Sequence, residues 1–286
     1  MIAVDWGTTS FRAFRLDADG TQLARIDAPD GILTAGDFAA TLRRHVGAWL
    51  KEGERRILLS GMIGSRQGWV EAPYLPCPAG ADEIAAALVP VPFDVQTLLV
   101  PGLTDADEAD TPEVMRGEET QIVGANIDEG LACLPGSHSK WARVAGGRIM
   151  AFRTYLSGEA FAALKSGTIL GRMMQDGPTD LAAFDQGLAR AADTGHLLHH
   201  LFGVRTLGLF RRLPDAASAS YLSGLLIGHE VRAACPRDTN VHLIGAPALC
   251  ALYARAITAA GATPIIEDSD AAAAGLARIG HTAPWT

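Results

Sequence analysis

Val4 to Ala13 reads VDWGTTSFRA, and this stretch decides the fold. A short apolar strand delivers Asp5. The chain then turns tightly through Gly7, Thr8, Thr9 and Ser10 before a second strand begins at Phe11. Gly7 lets the backbone come close to a ligand. The N–H groups and hydroxyls that follow can converge on phosphate oxygens as an anion-binding nest. Asp5 suits a magnesium ion held through water, because that hard cation keeps several waters and takes few carboxylates. Arg12 can reach back toward transferred charge. An ordinary hydroxyl-rich hairpin turn is the bland alternative, and it leaves the strand-end acid without a purpose.

Around this stretch, Ile2 to Val4 and Phe11 to Leu16 read as strands, and Asp19-Gly20 turns the chain into a third strand over Thr21 to Ile26. Phe38, Leu42, Val46, Trp49 and Leu50 fall at helical spacing after Asp37, with Gly53 closing the helix. Ile57 to Leu59 is a buried strand entering the glycine-rich SGMIGSRQGW. A helix near Asp82–Val89 and a strand near Val95–Val100 complete the first half.

The second half repeats that order. Leu131 to Leu134 is strand-like, and Trp141–Val144 with Arg148–Phe152 form a hairpin across Gly146-Gly147. A helix starts near Ser157, and a mostly helical stretch covers about 178–234. Val241–Ile244, Pro247–Ala260, Thr263–Ile266 and Asp270–Ile279 then read as strand, helix, strand, helix. Placing Gly7 on Gly136 also places Thr8 on Ser137, Ser10 on Ser139 and Ala13 on Ala142. The match predicts an internal duplication. Its boundary is expected within Pro101–Pro112, which is acidic and turn-rich, giving domains over residues 1–112 and 113–286. The last helix can fold back onto the first domain.

The 286 residues carry 24 Lys and Arg against 32 Asp and Glu, a net charge of −8. That balance argues against nucleic acid or an anionic membrane as partner, since neither finds a basic footprint. The longest run free of Asp, Glu, Lys and Arg, Thr239 to Ala254, falls short of a membrane span. Asp5 interrupts any signal-peptide pattern. Cys77, Cys133, Cys235 and Cys250 are widely spaced with no C-x-x-C pair, which points to a reducing cytoplasm rather than a disulfide framework or zinc site.

VDWGTTSFRAFRLD resembles the first phosphate motif of the sugar-kinase, Hsp70 and actin superfamily. LPGSHSKWARV (Leu134–Val144) occupies the position of the second, and HLIGAPALCALYARAI (His242–Ile257) resembles the adenosine motif. LSGMIGSRQGW (Leu59–Trp69), MRGEETQIVGA (Met115–Ala125) and TYLSGEAFAAL (Thr154–Leu164) narrow the resemblance to the 2-dehydro-3-deoxygalactonokinase family. The resemblance implies an α/β protein of actin-like ATPase (ribonuclease H-like) fold. Two duplicated βββαβαβα domains would enclose a nucleotide cleft, the first binding sugar acid and phosphate, the second the nucleotide. It implies transfer of the ATP γ-phosphoryl group, with Mg2+, to the terminal 6-hydroxyl of 2-dehydro-3-deoxy-D-galactonate in galactonate and galactose catabolism. A homodimer is compatible with it. The rival readings are a phosphohydrolase of the same superfamily and a nucleotide-gated binding module without turnover.

On this resemblance Gly7, Thr8, Thr9, Ser10, Gly136, Ser137 and Lys140 hold ATP phosphates, Gly245 and Ala246 meet the nucleotide, and Asp5 holds magnesium through water. Sugar kinases of the superfamily usually carry a carboxylate near the second phosphate turn. Here Leu134 aligns with Asp5, and LPGSHSK contains no acid. The base for the sugar hydroxyl is therefore sought in MRGEETQ, which resembles the catalytic Gly-x-Glu-Glu turn of exopolyphosphatases. Glu118 and Glu119 would lie in the first turn of a helix, about 100° apart, so one of them faces the ligand. Glu118 is the expected one, although Glu119 and Asp5 remain alternatives. His138 is expected to touch the substrate. Arg66 and Arg153 are candidate clamps for its carboxylate, since a planar guanidinium can bond both oxygens at once. Trp69 and Tyr74 could wall the sugar pocket or belong to the core. Ala246 stands where relatives often have glycine, so its Cβ is expected to push the nucleotide outward. His196, His199 and His200 lack a partner set for a metal and read as a partly exposed helix face. Asp105–Asp110 reads as a solvated loop.

Overall fold

Ile2–Trp6 (β1) is buried at every residue, because it lies inside a sheet between Phe11–Leu16 (β2) and Arg56–Ser60 (β4). A strand covered on both faces needs apolar side chains throughout rather than alternation. The computed structural model describes residues 1–267 and 270–285. Gln22–Ala28 (β3) follows β2, and Phe38–Lys51 (α1) precedes β4. Asp37 caps α1 by accepting the Ala40 N–H at 3.0 Å, and Leu42, Val46 and Trp49 are its buried stripe. Beyond β4 lie Tyr74–Pro76 (β5), Ala81–Ala86 (α2), Val89–Pro90 (β6), Gln96–Leu99 (β7), Gly102–Ala106 (β8), Pro112–Met115 (β9) and Glu118–Ala125 (α3).

Glu129–Leu134 (β10), Ser139–Ala145 (β11) and Arg148–Tyr155 (β12) open the second half. Four helices follow: Ser157–Gly167 (α4), Leu181–Ala192 (α5), Leu197–Leu209 (α6) and Ser218–Ala234 (α7). Asn240–Leu243 (β13), Pro247–Ala259 (α8), Thr263–Ile266 (β14) and Ala271–Thr282 (α9) complete the described chain.

Among the described residues, one sheet has the order β3-β2-β1-β4-β7-β6 and a second the order β12-β11-β10-β13-β14. In the first, β1 pairs antiparallel with β2 and parallel with β4, and β4 is parallel to β7. In the second, β10 is parallel to β13 and β13 to β14. Five positions thus repeat: a hairpin, its lead strand, then two parallel neighbours. The duplication expected from the Gly7/Gly136 match is present in the topology.

The chain divides into two compact units. Unit 1 holds Met1–Glu129, Ala142–Arg153 and the stretch from Glu267 onward; unit 2 holds Gly130–Trp141 and Thr154–Ile266. These limits differ from a single cut after residue 112, for two reasons internal to unit 1. Pro101–Pro112 is not a linker: β8 pairs with β5 and β9, burying Gly102 and Leu103. And α9 returns to pack on α3, where a Cβ on Gly124 would stand 1.8 Å from the Ala271 carbonyl oxygen and one on Gly275 1.8 Å from that of Thr120. Backbones that close tolerate no side chain between them. Unit 1 has its core around Trp6, Phe11, Leu42, Ile57 and Leu59. Unit 2 builds its own around Trp141, Phe184, Val241 and Tyr253, with α5 crossing α7 through Gly187 and Gly224.

Three smaller expectations change. The helix near Asp82–Val89 stops at Ala86, because Val89–Pro90 joins the sheet edge beside β7. Asp105 is not merely solvated: its carboxylate accepts the Phe152 N–H and an Arg153 N–H, each at 3.0 Å. His200 is fully buried, with Nδ1 3.0 Å from Nε2 of His229.

Candidate active site

Unit 1 carries the first turn. Asp5 ends β1 opposite Arg12 of β2 in the antiparallel register, and an Arg12 guanidinium N–H donates to Asp5 Oδ2. Gly7 closes the turn by donating to the Ser10 carbonyl at 2.9 Å. The segment behind it braces the turn: Ile32 N–H donates to Gly7 O at 3.0 Å and Leu33 N–H to Thr8 O at 3.2 Å. Thr8, Thr9 and Ser10 are left exposed, as an anion seat requires.

Two glycines link Asp5 to the MRGEETQ segment. Gly61, following β4, has φ +91°, and a Cβ there would lie 2.8 Å from Trp6 O and 3.2 Å from Asp5 Oδ1. Gly117 has φ +105°, and its Cβ would lie 3.2 Å from the Gly61 Cα. Both positions need the left-handed region and the absent side chain. Glu118 and Glu119 open α3 as expected, but both carboxylates fold back on the helix start. Glu118 accepts the Arg116 N–H at 3.0 Å, and the two Glu119 oxygens take the Gly117 N–H at 2.9 and 2.8 Å. Glu118 is half-buried. Glu119 is fully buried, and burial together with the neighbouring Glu118 charge pushes its carboxyl up to about 8.

The candidate carboxylate clamps are both in unit 1 and both already paired. Arg66 is exposed and meets Glu71 at 3.1 Å, whereas Arg153 meets Asp105. Trp69 packs against the core and edge-on to Phe93, so it reads as structure. Tyr74 is exposed, and Arg116 stacks over its ring at 4.5 Å. Sequence reasoning passed over Arg116. It is buried, donates through one nitrogen to Ala72 O at 2.7 Å, and leaves Nε and Nη1 without a protein partner. Its place directly before Gly-Glu-Glu was the available signal.

Unit 2 carries the second turn between β10 and β11. Gly136 is half-exposed, Ser137 and His138 are exposed, and Ser139 and Lys140 are buried. A buried carboxylate, Glu230 of α7, underlies this turn. It accepts Trp141 Nε1–H and Tyr253 O–H, each at 2.8 Å, and the Tyr253 hydroxyl lies 2.8 Å from Ser139 Oγ. Burial raises the Glu230 carboxyl above its ordinary value. Beside the turn opens a cavity of about 340 Å³ lined by Gly136, Ser157, Phe161, Leu249, Leu252 and Tyr253, among others. That is within the range of small-molecule sites. Gly245, φ +155°, borders the turn at Pro135. Ala246 has φ −61° and ψ 129°, an unstrained conformation. Pro247 starts α8 at the position where its missing N–H costs nothing.

Unit 1 thus brings together Asp5, Arg12, the Gly7–Ser10 turn and the Glu118 segment. Unit 2 brings together Gly136–Lys140, Gly245, Ala246 and the cavity. Among the described residues no three His, Cys, Asp or Glu side chains are grouped to hold a metal. A magnesium ion would fit at Asp5 only as a hydrated ion, since one carboxylate oxygen is already engaged by Arg12. No helix among the described residues is long and apolar enough to cross a membrane.

The model of the 2-keto-3-deoxy-galactonokinase family matches residues 5–279. A probable 2-dehydro-3-deoxygalactonokinase from Rhizobium meliloti is 37% identical over 284 residues, covering 94% of this chain and 92% of that protein. The 2-dehydro-3-deoxygalactonokinase of Escherichia coli is 33% identical over 288 residues, covering 98% and 97%. A Sinorhizobium meliloti crystal structure assigned to the same activity superposes with a TM-score of 0.90 at 36% identity, covering 98% of this chain and 97% of that one. The fold extends further. The activator of 2-hydroxyisocaproyl-CoA dehydratase from Clostridium difficile reaches a TM-score of 0.54 at 13% identity, over 98% of this chain and 94% of that one. This is the α/β architecture of actin-like ATPase-fold proteins. With the family model spanning both turns and relatives above 30% identity along nearly the whole length, the chain belongs to the 2-keto-3-deoxy-galactonokinase family.

Proposed function

We propose that this protein is an ATP-dependent kinase that phosphorylates the terminal 6-hydroxyl of 2-dehydro-3-deoxy-D-galactonate. The observation that carries this reading is the second turn, with a ligand-sized cavity opening directly beside Gly136. A turn of small hydroxyl residues seats phosphates, and an adjoining apolar cavity takes a nucleoside. The relatives' names supply the acceptor.

In this reading Gly136, Ser137 and Lys140 hold the nucleotide phosphates in unit 2, with Gly245 and Ala246 beside the nucleoside. Thr8, Thr9 and Ser10 offer a second set of donors. Magnesium, when bound, would supply neutralisation of phosphate charge. Asp5 would be its protein carboxylate, acting through water. Arg12 holds Asp5 in place and adds positive charge beside the γ-phosphate. Arg66, the more exposed clamp, exchanges Glu71 for the carboxylate of the sugar acid, while His138 and Arg153 are further contacts. We place the protein in the cytoplasm, where its four free cysteines stay reduced.

The test is ADP formation with ATP, magnesium and 2-dehydro-3-deoxy-D-galactonate. ADP should appear only with the acid present. Acid-independent release at the same rate would make the protein a phosphohydrolase, and no release a binding module.

A further inference from the structure

The acid that LPGSHSK lacks reaches the second turn from another element. Glu159, in the first helical turn of α4, accepts a hydrogen bond from Nε2–H of His138. The backbone fixes this meeting. The Glu159 N–H donates to Ser137 O at 3.0 Å. Gly158 lies so close that a Cβ would stand 2.3 Å from Gly136 O and 2.7 Å from the Ser137 Cα. Ser157, one residue earlier, is hydrogen-bonded to the buried Glu230. The start of α4 is therefore docked onto the turn at Gly158 and Glu159 and onto the buried Glu230 beneath it at Ser157, which places the Glu159 side chain beside His138. Both side chains are well exposed, at 50% and 62%, so a substrate can approach them.

With Nε2–H committed to a carboxylate, the neutral imidazole carries its lone pair on Nδ1, which has no protein partner among the described residues. The acids in MRGEETQ are employed differently. Glu118 and Glu119 both cap the start of α3, and Glu119 is sealed from solvent.

We propose that His138 is the general base for the acceptor hydroxyl and that Glu159 is its positioning residue. The assignment rests on the kinase reading and on Gly136–Lys140 as a phosphate seat. The acceptor O–H gives its proton to Nδ1 of His138, and its oxygen forms the new bond to the γ-phosphorus. The bond from that phosphorus to the β,γ-bridging oxygen breaks, and its electron pair leaves with ADP. The imidazolium then returns its proton to water.

The experiment compares His138→Ala, Glu159→Gln and Glu118→Gln in the ADP assay, with ATP binding and thermal unfolding measured on each. His138→Ala should lower kcat by about 100-fold, the usual order for a lost general base, with KM for both substrates within about threefold. Added imidazole should restore about a tenth of the lost rate, because it supplies the missing base. Glu159→Gln should lower kcat by about 10-fold at unchanged KM, and Glu118→Gln, at the rival base, should lower kcat less than His138→Ala does. The proposal is overturned if His138→Ala keeps a kcat close to wild type, if its defect lies in KM alone, or if imidazole restores nothing. A wild-type protein with no acid-dependent turnover would defeat the kinase reading itself, a different result from a wild type that turns over and a His138 variant that does too.

Discussion

Arg12 and Asp5 are direct cross-strand partners on β1 and β2, and their side chains are joined through Asp5 Oδ2. The carboxylate at the end of the central strand therefore comes with its own counter-charge. One oxygen is held by the guanidinium, and Oδ1 borders Gly61. A buried acid prepared in this way is oriented before any ligand arrives.

Asp5→Asn keeps an acceptor for Arg12 but removes the charge. We expect kcat to fall at least about 100-fold, as for loss of an electrostatic element of the transition state, with stability changed by less than about 1 kcal/mol. Steady-state rates and thermal midpoints on the same preparation test this. Near wild-type turnover in Asp5→Asn would remove the magnesium role.

Gly158→Ala inserts a methyl group 2.3 Å from the Gly136 carbonyl oxygen. Neither backbone can yield without moving α4 or the second turn. The expected cost is about 1–3 kcal/mol of stability, as for overpacking elsewhere, together with a marked rise in KM for ATP. Gly167→Ala, at a position with open space in the same helix, should leave both quantities unchanged. Equal behaviour of the two variants would mean that α4 does not support the turn.

Glu119 gives a pH dependence with a definite sign. Its carboxyl is raised from an ordinary 4.5 to about 8 by burial first and by Glu118 second. The folded protein thus retains a proton that the unfolded chain releases earlier. The stability linked to this group is full below the unfolded value and is lost as pH rises through the window to about 8. Glu119→Gln cannot ionise, so its urea midpoint relative to wild type should improve between pH 5 and pH 9. A constant difference between the two proteins across that range would contradict the buried, proton-holding carboxyl.

Much of the first turn was legible in the chain itself. An apolar strand carrying Asp5, then Gly7 and three hydroxyl residues, reads as a buried strand entering a tight polar turn. The offset match to Gly136 gave the duplication, because both sheets spend the same residue types on the same step. In the HLIGAPAL segment the positive φ falls on Gly245 and not on its neighbour Ala246. Pro101–Pro112 was misjudged because acidic, proline-bounded segments read as linkers, whereas β8 obtains its pairing from β5 and β9 on either side in sequence.

From sequence alone came the strands β1–β4, β7 and β10–β14, the two glycine–hydroxyl turns and the family, since each depends on neighbours along the chain or on motif order. Tertiary structure alone decided which acids are available. Glu118 and Glu119 are occupied at the start of their own helix, while Glu159, twenty-one positions beyond His138, is carried to it by the docking of α4. A carboxylate's function depends on its partner and its exposure, and both are set by contacts between segments that no local pattern encodes.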